Sequence, residues 1–127
     1  MDSLVYIPNF ITAEEECIFV NYFASCDKWH MRGKRRMQAY GYKYEKGDFA
    51  TGLRKTQEIP NTFLSLVHNI NLTTDRNFNQ MTVNEYLPGQ GIDSHYDHKT
   101  RFGDSIAGIS LGSGCTMIFE NLFYKSF

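Results

Sequence analysis

The apolar positions of this chain change rhythm near residue 80. Before that point, two stretches carry the three-to-four-residue spacing of amphipathic helices. After it, short alternating stretches separated by Pro- and Gly-containing turns read as strands. Residues 4–7 predict a short opening strand that ends at Pro8. Thr12 begins a helix: Glu15 stands three residues on, the spacing of a capping box, and Glu14, Glu15 and Glu16 suit the positive end of the helix dipole. That helix runs to about Ala24, with Ile18, Phe19, Tyr22 and Phe23 as one buried stripe. Residues 37–44 predict a strand and 45–48 a turn or loop. A second helix over 61–70, opening just after Pro60, carries Phe63, Leu66, Val67 and Ile70 at helical spacing. Residues 81–86, 92–97, 105–111 and 115–119 read as strands. Two early helices and a late run of antiparallel-type strands predict an α+β chain built around a β-sheet.

A length of 127 residues is that of a single domain, so residues 1–127 are expected to form one. The hydrophobic share of 42% and the charged share of 21% argue against disorder. Apolar runs such as residues 17–20 fall far short of the ~20 residues a membrane-spanning helix needs, so no membrane partner is expected. The opening Met1-Asp2-Ser3 lacks the basic leader and apolar core of a secretory signal. Cys17, Cys26 and Cys115 are odd in number and lack C-x-x-C spacing, which fits a reducing interior better than a disulfide scaffold. A cytoplasmic or nuclear setting is the expectation.

With 13 basic and 14 acidic residues the net charge is −1, which by itself points away from nucleic acid. The distribution points the other way. Between residues 28 and 46 lie seven basic residues, Lys28, Arg32, Lys34, Arg35, Arg36, Lys43 and Lys46, against the single acid Glu45. Tyr40, Tyr42 and Tyr44 alternate within the same segment, so on one strand they form an aromatic row beside a basic patch. Phosphates favour the cations, and an unstacked base can lie on an aromatic face. A solvated basic hairpin whose tyrosines pack on a neighbouring sheet accounts for the same pattern.

His95 and Asp97 stand two apart, so on a strand both side chains face one way and can grip a single metal with an imidazole nitrogen and a carboxylate oxygen. Such a pair supplies two of the three ligands of a 2-His-1-carboxylate triad. Upstream, Thr82, Asn84 and Tyr86 share a strand face, and Pro88-Gly89 is a turn able to bring that strand back toward His95. An H-x-D alone is a weak signal, equally open to a surface strand whose polar side chains are hydrogen-bonded.

The longer string Asn84-Glu85-Tyr86-Leu87-Pro88-Gly89-Gln90-Gly91-Ile92, followed by His95-Tyr96-Asp97, Phe102-Gly103-Asp104-Ser105-Ile106 and Ile109-Ser110-Leu111-Gly112-Ser113, closely resembles the AlkB family of iron(II)- and 2-oxoglutarate-dependent dioxygenases. It is most similar to the branch containing the animal tRNA wobble-uridine hydroxylase. The resemblance is dense over 80–119 and weaker over Tyr6-Ile7-Pro8-Asn9-Phe10-Ile11. Arg35-Arg36-Met37-Gln38-Ala39-Tyr40-Gly41-Tyr42 resembles the family's nucleotide-recognition segment. The resemblance implies a double-stranded β-helix, or jelly roll, with N-terminal helices packed on one sheet. It implies iron ligation by His95 and Asp97, contact of Asn84 and Tyr86 with 2-oxoglutarate, and placement of Arg36, Tyr40 and Tyr42 on or near the lid over the substrate base. It implies dioxygen as the co-reactant, nucleic acid as the partner, and oxidative dealkylation or hydroxylation of a flipped base as the reaction.

The family's third iron ligand is a downstream histidine, followed by arginines, one of which pairs with 2-oxoglutarate; nothing after Asp97 matches them. His98 is adjacent to Asp97 and points to the opposite face of a strand. His30 and His68 precede the motif, Glu120 lies at a strand end, and Arg101 precedes the strand that should lead to the arginine. The chain is therefore expected to represent the N-terminal portion of the domain, with several jelly-roll strands missing. Three functions remain open: a nucleic-acid dioxygenase, a catalytically inactive truncated product that binds nucleic acid or a protein partner, and a family member acting on protein or a small molecule. Strand faces such as Ile109/Leu111 and Met117/Phe119 would lack a sheet to pack against, so self-association is expected for the chain expressed alone.

Overall fold

The structure, a computed structural model, describes residues 4–44, 53–97 and 103–120, with the backbone alone at 43–44 and 53–54. The turn or loop expected over 45–48 lies outside the described residues. The chain divides into two compact units, one of Met1–Ala24 with Ile109–Phe127 and one of Ser25–Gly108.

In the first unit, helix α1 spans Ala13–Ala24. Its start is the capping box that the sequence predicts, closed in both directions. The Thr12 amide donates to Glu15 Oε1 at 3.0 Å, and the Glu15 amide donates to Thr12 Oγ1 at 3.1 Å. Glu16 does more than favour the dipole, since its Oε1 also accepts from the Gly112 amide at 3.4 Å. The buried stripe is narrower than expected. Phe19 and Phe23 are buried, Tyr22 is half-buried with its ring edge-on to Phe23, and Ile18 is exposed. Ile18 lies about 100° round the helix from Phe19, off the face that the i, i+4 pair Phe19/Phe23 turns inward.

The second unit holds both sheets. Strand β1 (His30–Arg32) turns through Gly33 and Lys34 into β2 (Arg35–Tyr40), and β2 pairs on its other side with β5 (Met81–Glu85), all antiparallel. Gly33 has φ +64°, at the first turn position that a type II′ hairpin reserves for glycine. As the central strand, β2 is covered on both faces toward its end: Met37, Gln38, Ala39 and Tyr40 are all buried. The wholly buried Gln38 is tolerated because its Oε1 accepts the Tyr40 hydroxyl at 2.5 Å.

The single strand expected over 37–44 is two strands. The break falls at Gly41, with φ +81°, where a Cβ would collide with the Asn79 carbonyl oxygen. The Gly41 amide donates to the Gln57 carbonyl at 2.6 Å, and its own carbonyl accepts from Thr56 at 3.0 Å. Beyond it, β3 (Tyr42–Tyr44) pairs with β4 (Leu53–Lys55) in a separate two-stranded ribbon.

The second predicted helix opens as a 3-10 turn over Asn61–Phe63 and continues as α2, Leu64–Thr74. Phe63 and Leu66 are buried, with Val67 and Ile70 half-buried, as the spacing indicates. It runs past the expected end, and the Thr73 and Thr74 hydroxyls donate back to the carbonyls of Asn69 and Ile70. It stops where Asp75 turns left-handed at φ 53° and Asn71 Oδ1 takes the Phe78 amide at 2.9 Å.

Of the expected late strands, only 81–86 forms, as β5. Residues 4–7, 92–97, 105–111 and 115–119 are not strands among the described residues. Their alternation is genuine, but a strand exists only by exchanging hydrogen bonds with a partner strand, and no described strand pairs with them. The observed architecture is thus α+β around a three-stranded antiparallel sheet.

Candidate metal centre and nucleic-acid interface

Strand β5 sets up the first part of the site. Thr82 and Asn84 lie on one exposed face, while Met81, Val83 and Glu85 alternate to the half-buried side. Tyr86 stands just past the strand end, exposed. The chain then turns at Leu87-Pro88-Gly89-Gln90, where Gly89 has φ +84° and the Gln90 amide donates to the Leu87 carbonyl at 2.9 Å. This is the turn that Pro88-Gly89 predicts. The Gln90 side chain locks it twice: Oε1 accepts the Leu87 amide at 2.8 Å, and Nε2 donates to the Lys34 carbonyl at 3.0 Å. That second bond ties the turn to the tip of the β1–β2 hairpin.

His95 and Asp97 follow on irregular chain rather than on the paired strand expected, yet their side chains approach each other. His95 Nδ1 is 2.8 Å from the Asp93 carbonyl oxygen; a carbonyl only accepts, so Nδ1 carries the proton. In the neutral ring this leaves the Nε2 lone pair bare, and Nε2 faces Asp97 Oδ1 at 3.8 Å. Two bare donors at that separation fit one divalent ion with bonds of about 2.0–2.2 Å to each. Nitrogen plus carboxylate oxygen is also the donor chemistry of ferrous sites. Both side chains are about half exposed, at 52% and 46%, which leaves room for further ligands. Among the described residues no group of three or more His, Cys, Asp or Glu converges on a metal position. His30 sits in β1, while His68 on α2 and Glu120 are exposed; His98 and Arg101 lie outside the described residues.

The basic segment divides between the two faces of β2. Arg36 lies opposite Glu85 and pairs with it in fork geometry, Nε to Oε1 at 2.6 Å and Nη2 to Oε2 at 2.8 Å. Its guanidinium carbon also lies 4.3 Å from the centroid of the Trp29 ring. The hydrogen bond from Arg36 holds the Glu85 carboxyl below its ordinary pKa, and Glu85 raises that of Arg36. Arg35, one residue away, points to the other face and donates from Nε to Asn84 Oδ1 at 3.1 Å.

The aromatic row needs correction. Tyr40 is 2% exposed, its hydroxyl committed to Gln38 and 3.6 Å from Cys26 Sγ, so it packs inside the sheet rather than presenting a face. Gly41 interrupts the alternation, and Tyr42 beyond it is exposed. The Tyr44 side chain lies outside the described residues. Tyr42 lines a surface depression of about 320 Å³ together with Lys55, Thr56, Glu58 and Ile59.

The family described as the 2OG-Fe(II) oxygenase superfamily matches residues 3–125. The chain belongs to this superfamily, as an AlkB-like member. An "Alkylated DNA repair protein ALKBH8 homolog" from Arabidopsis thaliana is 33% identical over 128 residues, covering 93% of this chain and 36% of that protein. A "Probable RNA/DNA demethylase ALKBH6" from Danio rerio is 31% identical over 123 residues, covering 92% of this chain and 50% of that protein. A 42-residue stretch is 50% identical to the "tRNA (carboxymethyluridine(34)-5-O)-methyltransferase ALKBH8" of Macaca fascicularis, covering 33% of this chain and 6% of that one. The chain spans half or less of the length of these relatives. Membership implies iron(II), 2-oxoglutarate and dioxygen as the family's reagents.

Four residues that shape the site carry no signal in the AlkB-like motif as read from sequence: Trp29, Glu85, Gln90 and Asp93. Glu85 and Gln90 stand inside the motif, but only the β2–β5 register and the turn reveal what they hold. Asp93 acts through its backbone carbonyl, which leaves no trace in residue type.

Proposed function

We propose that residues 80–119 are the iron and 2-oxoglutarate portion of a double-stranded β-helix dioxygenase domain that modifies bases in nucleic acid. The observation that carries this reading is the His95–Asp97 pair, with the proton of His95 held on Nδ1 by Asp93 and two bare donors facing each other across 3.8 Å. His95 and Asp97 are two of the iron ligands. Asn84 and Tyr86, past which the chain turns toward that pair, contact 2-oxoglutarate. Exposed Tyr42 offers a ring for a flipped base, with Arg36 on or near the lid over it. Held by His95 and Asp97, iron(II) with 2-oxoglutarate and dioxygen would supply the oxidation that hydroxylates a carbon of the base. On an N-linked methyl the hydroxylated product releases formaldehyde and restores the base; on a side-chain carbon the hydroxyl stays. The names of the relatives, an alkylated-DNA repair homolog and a probable RNA/DNA demethylase, support nucleic acid as the substrate.

Succinate release from 2-oxoglutarate, measured with iron(II) and methylated or wobble-uridine oligonucleotides, tests the enzyme. The protein used is this chain continued to a downstream histidine and its following arginines. Release that His95→Ala and Asp97→Ala each abolish is the expected result, and none from that longer protein overturns the reading. A second reading, a catalytically silent nucleic-acid or protein binder, is favoured by one observation: no third donor joins His95 and Asp97 among the described residues. Oligonucleotide binding without succinate release would select it.

A further inference from the structure

Strand register puts Arg35 on the same side of the sheet as Asn84. Met37 lies opposite Asn84, and Arg35 stands two residues before Met37, so its side chain leaves the same face and meets Asn84 diagonally. The contact is specific in its atoms: Arg35 Nε donates to Asn84 Oδ1 at 3.1 Å. A guanidinium only donates, so it fixes which end of the Asn84 amide turns toward it. Oδ1 faces Arg35, and the two protons on Nδ2 face away. Asn84 is exposed while Arg35 is half-buried, so the arginine is the better anchored of the two. Its backbone is held as well. Arg35 pairs with Arg32 across the hairpin, and the Lys34 carbonyl, part of the peptide unit leading into Arg35, takes the Gln90 side-chain amide at 3.0 Å.

We infer that Arg35 is a positioning residue for 2-oxoglutarate: it holds the Asn84 side chain with its N–H donors presented to the cosubstrate. The inference rests on the dioxygenase reading above, in which Asn84 contacts 2-oxoglutarate, and adds what sets the orientation of that contact. The carboxylate and ketone oxygens of 2-oxoglutarate only accept hydrogen bonds, so Asn84 serves them through Nδ2 and would repel them through Oδ1. An exposed asparagine without such a lock samples several rotamers and both amide orientations. Immobilising one side chain beforehand is worth about a 3- to 10-fold gain in affinity. Arg35 thereby links strand β2, in the basic segment, to the cosubstrate side of the site.

Calorimetric titration of 2-oxoglutarate, with manganese(II) in place of iron, tests this on the chain continued to the downstream histidine and arginines. Salt at about 0.5 M screens the through-space attraction between Arg35 and the dianion. Arg35→Met is expected to weaken binding about 3- to 10-fold. In an Asn84→Ala background the same substitution is expected to change nothing, because a residue that acts only through Asn84 has nothing left to position. An equal loss in both backgrounds overturns the inference. No loss from Arg35→Met where Asn84→Ala does weaken binding overturns it too, and leaves the dioxygenase reading standing. Asn84→Ala without effect removes the Asn84 contact and this inference together. Wild-type longer protein that binds no 2-oxoglutarate overturns both readings. If circular dichroism shows Arg35→Met unfolded, Arg35→Gln takes its place in the same cycle. On the 127-residue chain itself, the heteronuclear NOE of the Asn84 side-chain amide should mark it as rigid and fall in the Arg35 variant. An amide equally mobile in both overturns the lock.

Discussion

Strand β2 and the segment from residue 105 to 119 carry similar alternating sequence and meet different fates. β2 lies between two partners, and Met37, Gln38, Ala39 and Tyr40 are buried. The later segment has no strand partner among the described residues, and Ile106, Met117, Ile118 and Phe119 are exposed. Alternation states which side of a strand would be apolar; it does not create the neighbour that makes a strand. Burying one such side chain is worth about 1.5–3 kcal/mol, so four left in water mark a surface seeking a cover.

The largest effect that would break this contrast is loss of a buried ring from the unit that holds the paired strands. Phe63 is 1% exposed, and Phe63→Ala should cost about 3–5 kcal/mol. Hydrogen exchange should show slow amides in β2 and β5 and fast ones over 105–119 in the wild type, with that difference collapsing in the variant. Slow exchange over 105–119 in the wild type would mean that those residues are paired after all. Next in size is the exposed apolar segment itself. Met117→Lys with Phe119→Lys should reduce self-association, seen by sedimentation velocity as a shift toward monomer, with little change in melting temperature. A wild-type chain that is already a monodisperse monomer would remove the basis for it. Thr12→Ala should cost about 1 kcal/mol through loss of the capping bond to the Glu15 amide, read from denaturant midpoints.

The smallest effect concerns Glu85. Its folded-state pKa is lowered by Arg36, so its stabilising contribution is present above the ordinary carboxylate pKa and fades as pH falls through the lowered value. The pair is partly exposed, at 40% and 31%, so the effect is small and salt-sensitive. Glu85→Gln should lower the melting temperature slightly at neutral pH and make no difference in strong acid. An equal loss at both pH values would assign Glu85 a packing role instead.

The short-range features of the fold were legible in the sequence because they depend on neighbours in the chain. Thr12 with Glu15, Pro88 with Gly89, and the spacing of Phe63 and Leu66 each encode a local geometry, and each is found. Long-range pairing was less legible. The strand read over 37–44 concealed the break at Gly41, whose left-handed conformation answers to the carbonyl of Asn79, far along the chain. The tyrosine row failed for the same reason, since burial of Tyr40 depends on what covers β2 and not on its period. In the candidate site, His95 and Asp97 were visible as residue types. The proton held on Nδ1 by a backbone carbonyl was not, because any residue at position 93 has that group.

The sequence alone thus carried the resemblance to the AlkB family and the two helices with the capping box of the first, and it singled out His95 and Asp97 as candidates. Which residue each arginine lies opposite came from the folded arrangement alone: Arg36 lies across from Glu85, and Arg32 across from Arg35. Adjacent residues on a strand point to opposite faces, so what each arginine meets is set by strand register, a property of two segments together.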